Sequence, residues 1–245
     1  MQIFQIKLVF QKQEKYIEKK FYYSILWAVL SLFENDDTIY KNIFKISYSF
    51  DNTHLFIFVS ILWKQNFSLA INKILQEKWK IFSIDAYKFP LEQLDFNLKV
   101  LDLEKIVLNP IDKFELKFLS PTQIRNQNKI FTLPESDRFL FSVLNKFEKI
   151  WLNFEINKQE FKKWLRFSVI PKQFNIQTDL VEIKKSKRAG VVWNISYIVY
   201  DKNEEYQKIL NLVLKLIPYI WIGSGTKLWL WNVVCKYKFS LWKIN

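Results

Sequence analysis

The sequence predicts an α+β protein in which the element order β-α-β-β-α-β occurs twice. Residues 2–10 alternate apolar and polar side chains, as a half-buried strand does. Segments with the apolar spacing of helices and strands follow, and a similar succession begins again after residue 110. One such succession is a ferredoxin-like unit. We therefore predict two tandem ferredoxin-like domains, residues 1–109 and 110–245, divided near Asn109 and Pro110 and carrying a C-terminal glycine-rich loop.

The first predicted domain contains two helices and five extended segments. A dense apolar run predicts a buried helix at 21–33, and apolar residues at helical spacing predict another at 67–76. A charged linker at 11–20 precedes the first helix, and a polar turn at 35–37 follows it. The extended segments are residues 2–10, 43–50, 54–61, 80–89 and 98–108, with a turn at 51–52.

The second predicted domain begins with an alternating strand at 114–118, which residues 119–122 end. Its other elements are helices at 136–151 and 158–167, a hairpin of strands 174–184 and 191–200, a helix at 203–216 and a strand at 230–238. The helix at 203–216 is amphipathic and leads into the glycine-rich loop.

Composition favours a well-packed protein with a polyanionic partner. Half of the residues are hydrophobic, and the formal net charge is +13, from 37 Lys+Arg against 24 Asp+Glu. Such an excess attracts nucleic acid, because each neutralised phosphate releases counterions. An anionic membrane surface is the other kind of partner that charge alone allows.

The cysteine count and the hydropathy of the chain exclude several other classes of protein. The single cysteine, Cys235, rules out a disulfide framework and a cysteine-based zinc site, and we expect it to be a small core residue. Residues 1–10 lack the basic start of a signal peptide. The longest uncharged apolar run, 21–33, is too short to span a bilayer. We expect a cytoplasmic protein.

Two of the three glycines lie two residues apart near the C-terminus, between a predicted helix and a predicted strand. A loop of this kind exposes backbone N–H groups and lets a phosphate backbone approach closely. A hydroxyl and a cation add to it, so the predicted RNA-binding residues of the loop are Gly223, Ser224, Gly225, Thr226 and Lys227.

This stretch resembles the C-terminal glycine-rich signature of the CRISPR repeat-RNA processing endoribonucleases, which belong to the RAMP superfamily. Their pattern is roughly G-x-G-x-x-x-x-[LM]-G-F-G-x-[VI], and Gly223, Leu228 and Val233 match it. The segment 118–122, Phe-Leu-Ser-Pro-Thr, also resembles one at the start of the family's second domain. The resemblance covers most of the chain by element order, but only its C-terminal half by motif.

Tryptophan stands at several positions where that family has glycine. These positions are Trp221, Trp229 and Trp231, and Trp193 falls near a glycine common in the family, in a chain with 10 tryptophans and 3 glycines. Glycine normally makes up about 7% of residues. Our hypothesis is that some or all of these tryptophans are UGA codons that the source organism reads as glycine. The alternative is an AT-rich genome in which glycine codons are scarce and the tryptophans are real.

The predicted hairpin tip at 184–190 concentrates cations: Lys184, Lys185, Lys187 and Arg188. An exposed tip tolerates charge at no cost, so solvation alone is one explanation. Four cations on a projecting ribbon also suit contact with phosphates or with a groove of folded RNA. Arg125 and Lys129 are weaker candidates for RNA contact. We assign most of the aromatic residues to the core, because their spacing is that of strands and helices.

The resemblance implies RNA cleavage without metal, by attack of the 2′-hydroxyl on the adjacent phosphate. The products are a 2′,3′-cyclic phosphate and a 5′-hydroxyl, and the reaction needs a base, an acid and a cation. In many family members His, Tyr and Lys in the first helix and the segment after it share this work. Here that His is absent. The candidates are Tyr23, Tyr40, Lys41, Lys45 and His54, each of which is also compatible with an ordinary structural or surface role.

One His, one Cys and scattered carboxylates predict no metal site and no cofactor. The leading hypothesis is therefore a CRISPR repeat-RNA endoribonuclease, whose partners would be repeat RNA and other CRISPR effector subunits, as a monomer or homodimer and without a membrane. Two alternatives stay open. One is a non-catalytic RAMP subunit that holds the guide RNA, and the other is a basic structural RNA-binding protein with no CRISPR role.

Overall fold

The structure is a computed structural model. It describes residues 2–11, 29, 43–51, 53–62, 64–76, 81–84, 87–95, 101–102, 105–118, 124–126, 129–131, 135–148, 156–183, 186–220 and 233–239. The strands are β1 Gln2–Gln11, β2 Ile43–Phe50, β3 His54–Leu62, β4 Ile81–Ile84, β5 Tyr87–Asp95, β6 Leu101–Asp102, β7 Ile111–Phe118, β8 Ile124–Asn126, β9 Lys129–Phe131, β10 Val169–Ile183, β11 Ser186–Val199 and β12 Val233–Phe239. The helices bounded within the described residues are α1 Lys64–Gln76, α2 Ser136–Glu148, α3 Lys158–Ser168 and α4 Glu204–Leu216.

The chain divides into two compact units. One consists of Met1–Ile106 with Glu182–Ser186, and the other of Val107–Val181 with Lys187–Asn245. Within the described part of the chain, no helix is both long and apolar enough to cross a bilayer.

The first unit is an antiparallel sheet with the order β2-β3-β1-β5-β4, and β6 also pairs with β1. Taking β1, β2, β3 and β5 as its four main strands, their order is the interleaved 2-3-1-4 of a ferredoxin-like domain, as predicted. Two predicted helices belong to this unit. α1 packs on β1 and β3. Of the predicted helix 21–33 only Val29 is described; it is helical and fully buried.

The core of the first unit follows from the alternation in β1. In register across β1, β3 and β2, Ile6 lies opposite Val59, which lies opposite Ile46, and all three side chains are buried. α1 contributes Ala70 and Ile74, also buried and four residues apart on one helix face. An apolar residue at every second position of a strand thus supplies one buried face.

The extended segments late in the first unit differ from the prediction. Residues 80–89 do not form one strand, because β4 and the start of β5 pair as an antiparallel hairpin. The connection at 85–86 is Asp-Ala, which lacks the glycine that two-residue hairpin turns prefer, so its turn signal is weak. In the predicted strand 98–108, the described residues include only the two-residue β6, and residues 105–110 have no regular structure.

The second unit has a four-stranded sheet with the order β10-β11-β7-β12. Numbered by appearance in the unit, these strands again have the interleaved order 2-3-1-4. α2 packs on α3 and α4, and α4 packs on β7. Aromatic residues fill the core: Phe118 and Trp193 have ring centroids 4.8 Å apart, and Phe114 stacks on Tyr197 at 4.8 Å. Burial raises the pKa of Tyr197 well above its usual range.

Asparagine side chains start two helices of this unit. Asn157 accepts a hydrogen bond from the backbone N–H of Glu160 at the start of α3, and Asn203 accepts one from Tyr206 at the start of α4. Each bond satisfies a backbone donor that has no partner within the helix. Cys235 lies in β12 opposite Leu116, half-buried, and burial raises the pKa of its thiol to about 12.

Candidate nucleic-acid interface

The hairpin β10–β11 is longer than predicted. Its strands have 15 and 14 residues, and β10 begins at Val169, directly after α3. At a rise of about 3.3 Å per residue, the hairpin is about 50 Å long. β10 is an edge strand, and apart from Ile176 every residue from 170 to 178 is exposed.

The basic end of this hairpin is narrower than the predicted tip. Lys187 and Arg188 belong to β11, and only residues 184–185 separate the two strands. Lys184 and Lys185 lie outside the described residues. The strand extends further than predicted. Among residues 186–190, Gly190 disfavours a strand most, and a strand tolerates a single glycine.

The glycine-rich loop belongs to the connection between α4 and β12. All five predicted residues, Gly223, Ser224, Gly225, Thr226 and Lys227, lie outside the described residues. The described ends of the connection are nevertheless fixed in the second unit. Ile220 is buried where the helix turn ends, and Val233 begins β12 opposite Phe118 of β7.

Lys45 is one of the predicted catalytic residues that the structure describes. It lies on β2 opposite Ser60 of β3, just after a register shift that follows Ile43, and its side chain is only 2% exposed. Ser60 in turn lies opposite Gln5 of β1, whose side-chain amide donates to the Ser60 hydroxyl at 3.4 Å. Desolvation by burial lowers the pKa of Lys45 to about 7. At neutral pH this amine both releases and accepts a proton readily.

His54 is the second described candidate, and it sits in a polar network at the start of β3. Its Nε2 lies 2.9 Å from the Glu92 carboxylate, and its Nδ1 lies 2.7 Å from the Thr53 hydroxyl. Asp51 accepts from the backbone N–H groups of Thr53 and His54 at 2.7 and 2.6 Å. These bonds, the one from Thr53 first, lower the pKa of Asp51. Since both ring nitrogens are engaged, His54 can act on a substrate only if one bond is released.

The structure does not bring Lys45 and His54 together. Lys45 lies opposite Ser60, six positions along β3 from His54, which corresponds to about 20 Å at the rise of a strand. The two side chains therefore cannot serve one phosphate in this arrangement. Tyr23, Tyr40 and Lys41, the other predicted catalytic residues, lie outside the described residues.

Arg125 and Lys129 lie on a small two-stranded sheet in the second unit. Arg125 of β8 is opposite Ile130 of β9, and Lys129 is opposite Asn126. Each of the two residues belongs to a short strand.

Sequence reasoning missed two groups of polar residues. The first group surrounds His54. For Asp51 a sequence signal existed, because Asp followed by Thr two residues later is typical of a turn closed by the Asp side chain. For Glu92 there was none, because it lies 38 residues from His54 in the sequence. The second group lines a cleft beside the start of α2 and includes Asp137 and Arg166. Within the described ranges, no group of three or more His, Cys, Asp or Glu is placed to hold a metal ion.

Comparison with known proteins gives a clear answer on fold. No family model and no curated protein matches the sequence. Among solved structures, a Cas6 product complex is 13% identical with a TM-score of 0.77, over 96% of this chain and 100% of that one. A Cas6 substrate mimic complex is 16% identical with a TM-score of 0.75, over 96% and 100%. A Cas6-related protein from Pyrococcus furiosus is 14% identical with a TM-score of 0.56, over 96% and 98%. This chain therefore has the tandem ferredoxin-like fold of the Cas6 and RAMP proteins.

Proposed function

We propose that this chain is a CRISPR-associated endoribonuclease of the RAMP superfamily, which binds CRISPR repeat RNA and cleaves precursor crRNA. The observation that carries the proposal is the match over 96% of the chain to Cas6 in a product complex. Two arguments that do not depend on that match agree with it: the net charge of +13 and the glycine-rich signature at 218–234. Because proteins with one fold can have different functions, the proposal is also argued from the chemistry of particular residues.

The RNA-binding surface in this proposal combines the glycine-rich loop with the basic end of the β10–β11 hairpin. Both belong to segments that adjoin the second sheet, since β11 and β12 flank β7 on either side. Backbone N–H groups of a glycine-rich loop accept phosphate at close range, and lysine and arginine neutralise the phosphates further along the strand.

The proposed chemistry is metal-independent attack by the RNA 2′-hydroxyl, which leaves a 2′,3′-cyclic phosphate and a 5′-hydroxyl. Tyr40 and Lys41 lie three and two residues before β2 in the sequence and are the proposed proton carrier and phosphate-stabilising cation. Lys45, four residues on, supports a proton-transfer step near neutral pH because burial lowers its pKa to about 7. That burial also means that RNA reaches its amine only after the covering residues move.

A direct test uses the protein's own repeat RNA, labelled at the 5′ end and incubated in EDTA. We expect a single cut per repeat and a product that carries a cyclic phosphate, detected by its shift after acid and phosphatase treatment. Cleavage only on addition of a divalent ion would refute the mechanism. Binding of the repeat RNA without any cleavage would refute the proposed endoribonuclease activity.

A second candidate function is a non-catalytic RAMP subunit that holds the end of a guide RNA. One observation favours it: within the described residues, Lys45 and His54 are too far apart to act together, and His54 has both nitrogens engaged. This candidate predicts tight repeat binding, no product, and co-purification with other effector subunits.

A further inference from the structure

A cleft of about 360 Å³ opens in the second unit. It lies between the N-terminus of α2, the end of α3 and the first residues of β10. Its apolar wall consists of Val169, Ile170, Pro171 and Phe174. Phe174 is 59% exposed, and a large exposed aromatic ring at the mouth of a cleft is a feature of binding sites rather than of an ordinary surface.

The cleft is also lined by a carboxylate that makes no hydrogen bond within the described residues. Asp137, the second residue of α2, is 6% exposed and lines the cleft. Within the described part of the chain its carboxylate has neither a hydrogen bond nor an ion pair. Its neighbours differ: Ser136 donates to the carbonyl of Leu165 at 2.8 Å, and Glu135 pairs with Arg138.

The helix position explains why Asp137 is tolerated but not why it faces the cleft. The positive end of the α2 dipole favours an acidic side chain in the first turn. Asp137 is 6% exposed and borders the cleft, so a ligand there can meet its carboxylate with a hydrogen-bond donor. The site is therefore prepared for a ligand that brings hydrogen-bond donors and an apolar or aromatic face.

Among the described residues, one cation, Arg166, and two carboxylates, Asp137 and Glu135, line the cleft, and Glu135 is paired with Arg138. The guanidinium of Arg166 lies 6.0 Å from the ring of Phe167, and Phe167 is itself 67% exposed. Lys163 on α3 and Lys172 on β10 are exposed nearby in sequence. Because Arg166 lines the cleft and these lysines are exposed close to it in sequence, a ligand that carries a phosphate is favoured over a cationic peptide.

We propose that the cleft binds one unpaired nucleobase that carries an amino group, as part of a single-stranded RNA segment. This inference rests on the proposed RNA-binding function. The base stacks on Phe174, its amino group donates to the Asp137 carboxylate, and Arg166 binds the adjoining phosphate. Guanine, adenine and cytosine carry such an amino group. Uracil presents carbonyl oxygens on both sides of its single N–H, which a carboxylate repels, so the site discriminates against it.

The test measures binding of fluorescently labelled eight-nucleotide RNAs to the full chain by anisotropy. One probe is all uridine, and the others carry a single central guanosine, adenosine or cytidine. We expect the amino-bearing probes to bind about fivefold or more tighter, which is the effect of one net hydrogen bond of about 1 kcal/mol. Equal affinity for all four probes would overturn the proposal.

Three variants locate the effect. Asp137→Ala should remove the preference for amino-bearing bases, and Phe174→Ala should weaken all probes while the thermal unfolding midpoint stays near that of the wild type. Glu205→Ala is the matched control, because Glu205 is the exposed second residue of α4 and carries the same helix-dipole interaction away from the cleft. A preference that survives Asp137→Ala, or that Glu205→Ala also removes, would overturn the site.

The probes contain no repeat sequence, so this result is separable from the proposed function. If the repeat RNA is not cleaved but the base preference is intact, the proposed endoribonuclease activity is refuted and the proposed base-binding site stands. If the repeat RNA is cleaved but all four probes bind equally well, only the proposed base-binding site is refuted.

Discussion

Val233, the first residue of β12, lies directly opposite Phe118, the last residue of β7. The glycine-rich connection therefore returns to the sheet beside the Phe-Leu-Ser-Pro-Thr segment, which begins at Phe118. Trp193 of β11 packs on the same Phe118 with ring centroids 4.8 Å apart. Two segments that carried the family resemblance, and a third in which a tryptophan falls near a family glycine, thus meet at one end of the second sheet.

The first prediction concerns the coding DNA. We expect codons 221, 229 and 231 to be UGA and to be decoded as glycine, because indoles would crowd an RNA backbone that glycine admits. Sequencing the gene and mass spectrometry of the protein from its natural host decide the matter. UGG at these codons would end the recoding hypothesis and leave stacking of tryptophan on RNA as the explanation.

Trp193 provides a companion measurement inside the folded domain. Its side chain is 1% exposed and fills the core, yet its indole N–H has no acceptor within the described residues, and the same holds for Trp164. Buried tryptophan usually finds such an acceptor. If tryptophan is native, Trp193→Gly should lower the free energy of unfolding by about 3–5 kcal/mol through the cavity it leaves. Unchanged or higher stability in urea titrations would identify glycine as the residue this fold evolved around.

The second prediction concerns the end of the hairpin. Replacing Lys185, Lys187 and Arg188 with Ala should weaken repeat-RNA binding and reduce the slope of log K against log salt by about 0.7 to 0.9 for each lost phosphate contact. Anisotropy titrations at several salt concentrations measure this slope. Lys208→Ala is the control, since Lys208 pairs with Glu204 on the exposed side of α4. If the triple variant keeps the wild-type slope, the hairpin charges are only solvated.

The third prediction concerns Lys45 and pH. Because burial lowers its pKa to about 7 from an ordinary value of 10.5, the unfolded chain binds more protons between these values. Its contribution to stability therefore rises with pH across this window, by up to about 1.4 kcal/mol per pH unit. Lys45→Met should be more stable than the wild type at pH 7, and the difference should shrink towards pH 9 in urea titrations. A pH-independent difference would mean that Lys45 is not buried as described.

The fourth prediction concerns the cleavage step. A 2′-deoxy substitution 5′ of the cut removes only the nucleophile, so it should abolish cleavage and leave binding nearly intact. Tyr40→Phe and Lys41→Ala should each slow single-turnover cleavage about 10²–10⁴-fold if they move a proton or stabilise charge. Repeat-RNA affinity measured in parallel separates chemistry from binding. Cleavage of the 2′-deoxy substrate at the normal rate would exclude attack by the 2′-hydroxyl.

Local patterns determined much of the fold. The alternation in β1, the helical spacing in α1 and α4 and the order of elements follow from the residues themselves, and the interleaved order of both sheets agrees with them. The hairpin of β4 and β5 was not predicted because the connection, Asp85-Ala86, lacks the glycine that two-residue hairpin turns prefer. The glycine-rich loop and the residues before β2 were recognised from sequence, and their roles remain predictions.

The sequence by itself thus determined the tandem α+β fold, the excess of positive charge and the segments that resemble an RNA-processing family. Only the tertiary structure decided that Lys45 is buried opposite Ser60, that His54 is held by Glu92, and that Asp137, Arg166 and Phe174 line one cleft. The physical reason is the distance along the chain over which each effect acts. Periodicity and turn chemistry act over a few neighbouring residues, whereas burial, pKa and cleft formation depend on residues that only chain folding brings into contact.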